Sequence, residues 1–416
     1  MKLPDGWKYI KLSDITTPLT EMAGDKKYET LSISAGIGFV NQAKKFGKEL
    51  SGKQYGKYTV LQRGDFSYNK GNSKKYPQGC IYQLTDRDCA AVPNVFESFR
   101  FILGINDYYE QLFMSGFLNH QLASKINHGV RDDGLLNLTG KDFYDCFVPF
   151  PSLAEQQKIA EILCKQDKII SSKQKLLEQK QQQKKWLIQK LLEVPHTNAD
   201  CEKVFSLGGV VIDKSGWKKE ILGCICTITG RIGFRGYTMS DITSSDKGVL
   251  SLSPSNIIDG QLNMEDSTFI TLEKYLESPE IMIQKHDIVF VKTGSTFGKV
   301  GYLDSIYQKA TINPQLVIVR SNNLVRQNLL YYILKSDYFQ NFVNKIVVGG
   351  AVPTLSQEQL SKIMIHLPTL PEQEIIAQVL SAADKEIALL KSIIEQEKQK
   401  KKSLAQLLLT GTVRVK

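Results

Sequence analysis

The chain has 416 residues, more than one ordinary hydrophobic core holds, and at about 100–200 residues per domain it predicts two or three domains. Its 42% hydrophobic and 23% charged residues are the composition of a folded globular protein, which excludes general disorder. A formal net charge of +10 and a pI near 9.0 favour polyanionic partners, nucleic acid or acidic lipid, without choosing between them.

In chain order, the opening MKLPDGWKYIKL lacks an apolar run of signal-peptide length, and no later stretch reaches about 18 consecutive apolar residues. A cytoplasmic protein without membrane segments is therefore expected. Residues 1–150 read as a first mixed α/β domain, with β-like runs at 57–61 and 99–103 followed by a helix-like run at 108–127. Residues 151–195 read as a first long helix. Residues 196–367 read as a linker and a second mixed domain, with β-like runs at 287–291 and 316–320 and a helix-like run at 324–343, in the same order as in the first domain. Residues 368–416 read as a second long helix.

The chain repeats itself. PSLAEQQKIAEILCKQDKII from Pro151 aligns with PTLPEQEIIAQVLSAADKEI from Pro368 at an offset of 217, and the frame holds through Lys184/Lys401, Lys185/Lys402 and Leu191/Leu408. Upstream, Gly6-Trp7 echoes Gly216-Trp217. Gly64-Asp65-Phe66 followed by Lys70 resembles His286-Asp287-Ile288 followed by Lys292, although His286 in place of Gly64 predicts a different turn there. Ile159, Leu163, Ile170, Leu177, Leu187 and Leu191, with Ile376, Leu380, Ala383, Ile387, Leu390, Ile394, Leu404 and Leu408 in the second copy, step by three and four residues or their sums, the spacing of a coiled-coil seam. Ser152 with Glu155, and Thr369 with Glu372, are capping-box candidates, Pro371 suits a first turn, and Pro195 and Gly411 are candidate stops. Gln166, Lys173, Lys180 and Lys184 interrupt the first seam, which favours an antiparallel pair closed against partner subunits over a lone dimer. A helical hairpin that only stabilises the fold is the plainer alternative.

Few residues speak for catalysis. Gly294-Ser295-Thr296-Phe297-Gly298-Lys299-Val300 has three residues between its glycines and Val after Lys, where a P-loop needs four and Ser or Thr. No Asn/Asp-Pro-Pro-Tyr/Phe tetrapeptide of adenine methyltransferases appears. Asp65 with Lys70, and Asp287 with Lys292, lack the second carboxylate of a metal-dependent nuclease, so a strand end with a DNA-facing Lys is the better reading. The cysteines Cys80, Cys89, Cys146, Cys164, Cys201, Cys224 and Cys226 have no zinc spacing and read as free thiols, and His120, His128, His196, His286 and His366 show no ligand spacing.

Loops suited to nucleic acid recur instead. Lys70, Asn72, Ser73, Lys74, Lys75 and Tyr76 in the first half, and Lys292, Thr293, Ser295, Thr296 and Lys299 in the second, combine phosphate-neutralising cations with side chains that hydrogen-bond base edges. Arg131, Arg231 and Arg235 lie in Gly-flanked loops of similar character.

Taken together, PSLAEQQKI and PTLPEQEII at the heads of the two long helices, the Gly-Trp near the start of each half and the Gly-Asp-Phe strand resemble the specificity subunits of type I restriction–modification enzymes. That resemblance implies two duplicated target-recognition domains of mixed α+β fold, separated by two long antiparallel coiled-coil helices with pseudo-twofold symmetry. Each domain would read half of a split, asymmetric double-stranded DNA target, and the helices would fix the gap. It also implies docking of two methyltransferase subunits and of restriction subunits. The helix heads, Leu153, Glu155, Gln156, Ile159 and Leu163 with Leu370, Glu372, Gln373, Ile376 and Leu380, are the expected subunit or helix-pair contacts. The chain itself is expected to be non-catalytic, with S-adenosylmethionine, ATP and Mg²⁺ on the partners and no metal of its own. The competing expectations are a fused nuclease or methyltransferase, and a helical scaffold that does not touch DNA.

Overall fold

The computed structural model describes residues 3–48, 50, 52–71, 76–126, 136–193, 204–265, 268–306, 308–346 and 353–415. The chain divides into two compact units, residues 1–175 with 391–416, and residues 176–390. The division falls within the long helices, Leu153–Leu192 and Leu370–Leu409, so each unit contains a stretch of both.

In unit 1 the central sheet consists of β1 (Thr16–Pro18), β2 (Phe66–Asn69), β3 (Cys80–Gln83) and β4 (Glu97–Phe101), in the order β1-β4-β2-β3. Phe66 pairs with Phe99, and Tyr68 with Glu97, across antiparallel β2 and β4. Phe66, Tyr68, Phe99 and Phe101 are enclosed by Tyr109 and Phe113 of helix Asn106–Met114 and by Phe143, with Phe101 stacked on Tyr109 at 4.3 Å and Tyr68 on Phe143 at 5.0 Å.

Unit 2 repeats the plan with aliphatic side chains. Its sheet holds β5 (Cys226–Gly230), β6 (Ile257–Ile258), β7 (Gln261–Leu262), β8 (Ile288–Val291), β9 (Val300–Tyr302) and β10 (Leu316–Ser321), ordered β5-β10-β8-β9-β7-β6. The first four members match β1-β4-β2-β3 in order. Ile288 pairs with Val319, and Phe290 with Val317. That register equates β8 with β2 residue by residue, so Lys292 follows its strand as Lys70 follows β2. The helix-like runs each break in two: Asn106–Met114 and Asn119–Lys125 flank Gly116 at φ 78°, and Gln327–Lys335 and Asp337–Ile346 flank Ser336.

The turn at His286 is the same as that at Gly64. Both residues are left-handed, φ 71° and 98°, and the amide N–H of each donates to the residue just past β9 or β3, Leu303 O or Leu84 O. Their carbonyls accept equivalent bonds from Gln327 Nε2 and Asn106 Nδ2. The difference expected from the sequence is therefore absent. His286 occupies a conformation that favours glycine while its ring stacks on Tyr302, with Nδ1 3.0 Å from the Tyr302 hydroxyl.

The predicted seam residues Ile159 and Leu163 join Leu408 and Leu409 in the core of unit 1, while Ile376 and Leu380 join Leu187, Leu191 and Leu192 in that of unit 2. The helices run antiparallel within each unit, because the head of one lies beside the tail of the other. Polar residues that interrupt the seam find partners across it: Gln166 Nε2 donates to Glu397 Oε2 at 2.6 Å, Lys180 pairs with Glu386, and Lys184 with Asp384. Lys401, the repeat counterpart of Lys184, pairs with Asp167 at 2.7 Å, the counterpart of Asp384. Each capping box is half formed: Ser152 Oγ accepts from Glu155 N, whereas Thr369 N and Oγ1 donate to Glu372 Oε2. Gly411 ends the second long helix at φ 71°, and Pro195 lies outside the described residues. No helix among the described residues is long and apolar enough to cross a membrane.

Candidate nucleic-acid interface

The aspartate that opens the central strand ties that strand to its neighbour in each domain. Asp65 and Asp287 are buried, and each grips an arginine of the adjacent strand through two bonds: Arg100 Nε and Nη2 to Asp65 at 2.6 and 2.8 Å, Arg320 Nε and Nη2 to Asp287 at 2.7 Å each. Each aspartate also accepts a backbone N–H, from Gln62 or Gln284. These hydrogen bonds raise the pKa of both arginines. The aspartates are thus committed to the fold. Their arginines were missed at the sequence level, although each stands next to last in its strand, ESFRF and LVIVRS, where a lone cation signals a partner.

Past the strand end, Lys70 O accepts the Leu136 amide at 2.8 Å, and Lys292 O accepts the Leu355 amide at 2.9 Å. In each unit the lysine is therefore seated beside the segment that returns from the domain's helices. In unit 1 that bond brings together Lys70 and Leu136, which lie far apart in sequence. Asn72, Ser73, Lys74, Lys75 and Arg131 themselves lie outside the described residues. Tyr76 packs against Gly36, its hydroxyl 2.9 Å from where a Cβ would stand.

Around Lys292, Thr293 bridges to Thr354, Ser295 is exposed, Thr296 and Lys292 are half-buried, and Lys299 is exposed with Nζ donating to Ile257 O at 3.2 Å. The Gly294–Gly298 turn joins β8 to another strand, not to a helix, so it cannot present a helix N-terminus to a nucleotide phosphate.

Arg231 corrects the expectation of a DNA-facing loop. It is only 4% exposed, with Nε, Nη1 and Nη2 donating to Ile312 O, Arg235 O and Thr311 Oγ1 and its guanidinium over Tyr237, and burial lowers its pKa. Its hydrogen bonds hold the loop to the strand Ala310–Ile312. Arg235 is partly engaged as well, through Nη1 to Glu277 O at 3.0 Å.

The helix heads also sort by partner. Glu155 is buried, accepting from Trp7 Nε1 at 2.9 Å and from Arg414 Nε at 2.6 Å, and Glu372 accepts from Asp213 N at 3.1 Å. Each glutamate thereby holds the segment that follows the other long helix. Gln156 Oε1 accepts Ile105 N, and Gln373 Oε1 accepts Arg326 N, tying each head to the turn before the domain helix. Leu153 and Leu370 remain 47% and 55% exposed, outside the seam.

Beside the helix pair each unit has a groove. In unit 1 it has a volume of about 530 Å³ and is walled by Lys398, Lys401, Lys402, Ala405 and Gln406. In unit 2 it is about 270 Å³, walled by Gln181, Lys184, Lys185, Ile188 and Gln189, the same positions one repeat earlier.

Residues 215–399 match the family model described as the type I restriction modification DNA specificity domain. The chain is 28% identical over 298 residues to the type I restriction enzyme MjaVIII specificity subunit of Methanocaldococcus jannaschii, a span covering 70% of this chain and 68% of that protein. The chain is thus similar to specificity subunits of type I restriction–modification enzymes. It is also similar to the EcoKI specificity subunit of Escherichia coli, at 25% identity over 48% of this chain and 42% of that one. Among solved structures it is similar in fold to the type I restriction–modification S subunit from M. genitalium, with a TM-score of 0.56, 14% identity and 98% of both chains covered. A chain from a structure titled for the complex assembly and conformational transition of the type I R-M system gives a TM-score of 0.60 at 16% identity, covering 99% of this chain and all of that one. The paired mixed domains and long helices of this chain share the fold of those structures.

Proposed function

We propose that this chain reads a split, asymmetric sequence in double-stranded DNA, one half-site per domain, for a type I restriction–modification complex, and that it carries no catalytic site of its own. The observation that carries the reading is the duplicated seat of Lys70 and Lys292, each at the end of the central strand and bonded to the returning segment through Leu136 or Leu355. Two equivalent basic loops on two equivalent domains fit a bipartite target. Each long helix is 40 residues, about 60 Å at 1.5 Å per residue, enough to set a gap between half-sites about 34–36 Å apart.

The two grooves, built from the same repeat positions, support docking of two copies of one partner, the methyltransferase subunit, with restriction subunits joining that assembly. S-adenosylmethionine, ATP and Mg²⁺ then belong to the partners. Co-expression with a methyltransferase subunit of a type I system, followed by genome-wide mapping of modified adenines, tests the reading. A bipartite motif with a fixed gap is expected. A continuous motif would overturn the ruler, and an unmodified genome despite a formed complex would favour a scaffold role.

A further inference from the structure

The repeat places the two interface lysines at one position, yet their surroundings differ. In β4, Glu97 stands opposite Tyr68, and its carboxylate lies 3.8 Å from Lys70 Nζ. Both side chains are about four-fifths covered, Lys70 being 18% and Glu97 21% exposed. Gly140 closes over the same carboxylate, which would lie 3.2 Å from a Cβ there, and the nearby charge of Glu97 adds to burial in raising the pKa of Tyr144. Unit 2 keeps the register but changes the residue. Val317 stands opposite Phe290 where Glu97 stands opposite Tyr68. Lys292 is half-buried, and among the described residues its ammonium forms no ion pair.

A lysine strengthens DNA binding by neutralising a phosphate and releasing a counterion. One already neutralised by an enclosed carboxylate must first break that pair, and the carboxylate left behind repels the phosphate. We propose that the domains grip the DNA backbone unequally: Lys292 neutralises a phosphate, whereas Glu97 restrains Lys70 in an internal ion pair and so acts as a positioning residue that weakens the first domain's hold. This rests on the DNA-reading function proposed above.

The test is the salt dependence of binding of the full chain to a 30-base-pair duplex, for wild type and the variants Lys292→Ala, Lys70→Met, Glu97→Gln and Glu97→Gln with Lys70→Met. Lys292→Ala should reduce the slope of log affinity against log salt by about 0.9, roughly a threefold change in affinity across a fourfold salt range. Lys70→Met should reduce it by less than half as much. Glu97→Gln, close to isosteric, should steepen it by about 0.9, and adding Lys70→Met should restore the wild-type slope, which a merely structural role for Glu97 would not do. Equal losses for Lys70→Met and Lys292→Ala, or a Glu97→Gln slope indifferent to Lys70, would overturn the unequal grip while leaving DNA reading intact. Wild-type affinity independent of salt would overturn both.

Discussion

The two units solve one folding problem with different side chains. Unit 1 packs its sheet with Phe66, Tyr68, Phe99, Phe101 and Phe113, while unit 2 fills the equivalent space with Ile288, Phe290, Val317, Val319 and Leu329. Between them the polar framework is conserved: an Asp–Arg fork at the strand start, a left-handed residue before it, a Gln at each helix head, and an Asp–Lys pair across the long helices. Apolar packing is non-directional and tolerates exchange when volume and pattern are kept. A buried polar group requires a particular partner in a particular direction, so the same partners recur in both units.

The largest test of that equivalence is the fork. Asp287→Ala and Asp65→Ala should each cost about 3–5 kcal/mol, because each leaves an arginine and a backbone N–H without their acceptor. Asp287→Ala should cost the more, since Arg320 is the less exposed of the two arginines. Denaturant unfolding measures both, and losses under about 1 kcal/mol would show the forks to be incidental.

Protonation should separate the units. Glu110 packs beside Asp107, Asp167 and Lys401, and burial, then the two aspartates, raise its pKa to about 7. Between the ordinary carboxylate value and about 7 the folded state keeps a proton that the unfolded chain has lost. Stability of unit 1 therefore falls as pH rises through that window, by at most about 3 kcal/mol, and stays lowered above it. At the matching place on its helix unit 2 has Tyr331, which does not titrate there. Hydrogen exchange should show the slope in unit 1 alone, and Glu110→Gln should flatten it. An equal slope in both units would assign it elsewhere.

The cross-helix pairs come next. Asp384→Ala removes the partner of Lys184 and of the Tyr332 hydroxyl, and Asp167→Ala that of Lys401 and of the Gln111 amide. Each should cost about 2 kcal/mol, and a double-mutant cycle with the lysine should give a coupling above about 0.5 kcal/mol. Additive losses would mean that the pairs do not act as units. The smallest effect is at the turn: Gly64→Ala should destabilise by about 1 kcal/mol. His286→Gly should fall within about 0.5 kcal/mol of wild type, the relief of a left-handed φ offsetting the lost contact with Tyr302.

The sequence by itself determined the duplication, the two long helices with their seam, and in each half the succession of two β-like runs and a helical run. Those features are written in local periodicity and in identities that hold one frame over forty residues, such as Ile159/Ile376 and Leu191/Leu408. Only the tertiary structure decided what the polar residues do. Lys184 interrupts a seam on paper and completes it opposite Asp384, Arg231 lies in a glycine-flanked loop yet is buried, and Lys70 and Lys292 share a position but differ through Glu97 and Val317. A charged side chain has the same formula whether it faces water, a phosphate or a carboxylate. The partner comes from a strand or helix tens to hundreds of residues away, and its position is fixed only when the register of the sheet and of the helix pair is set.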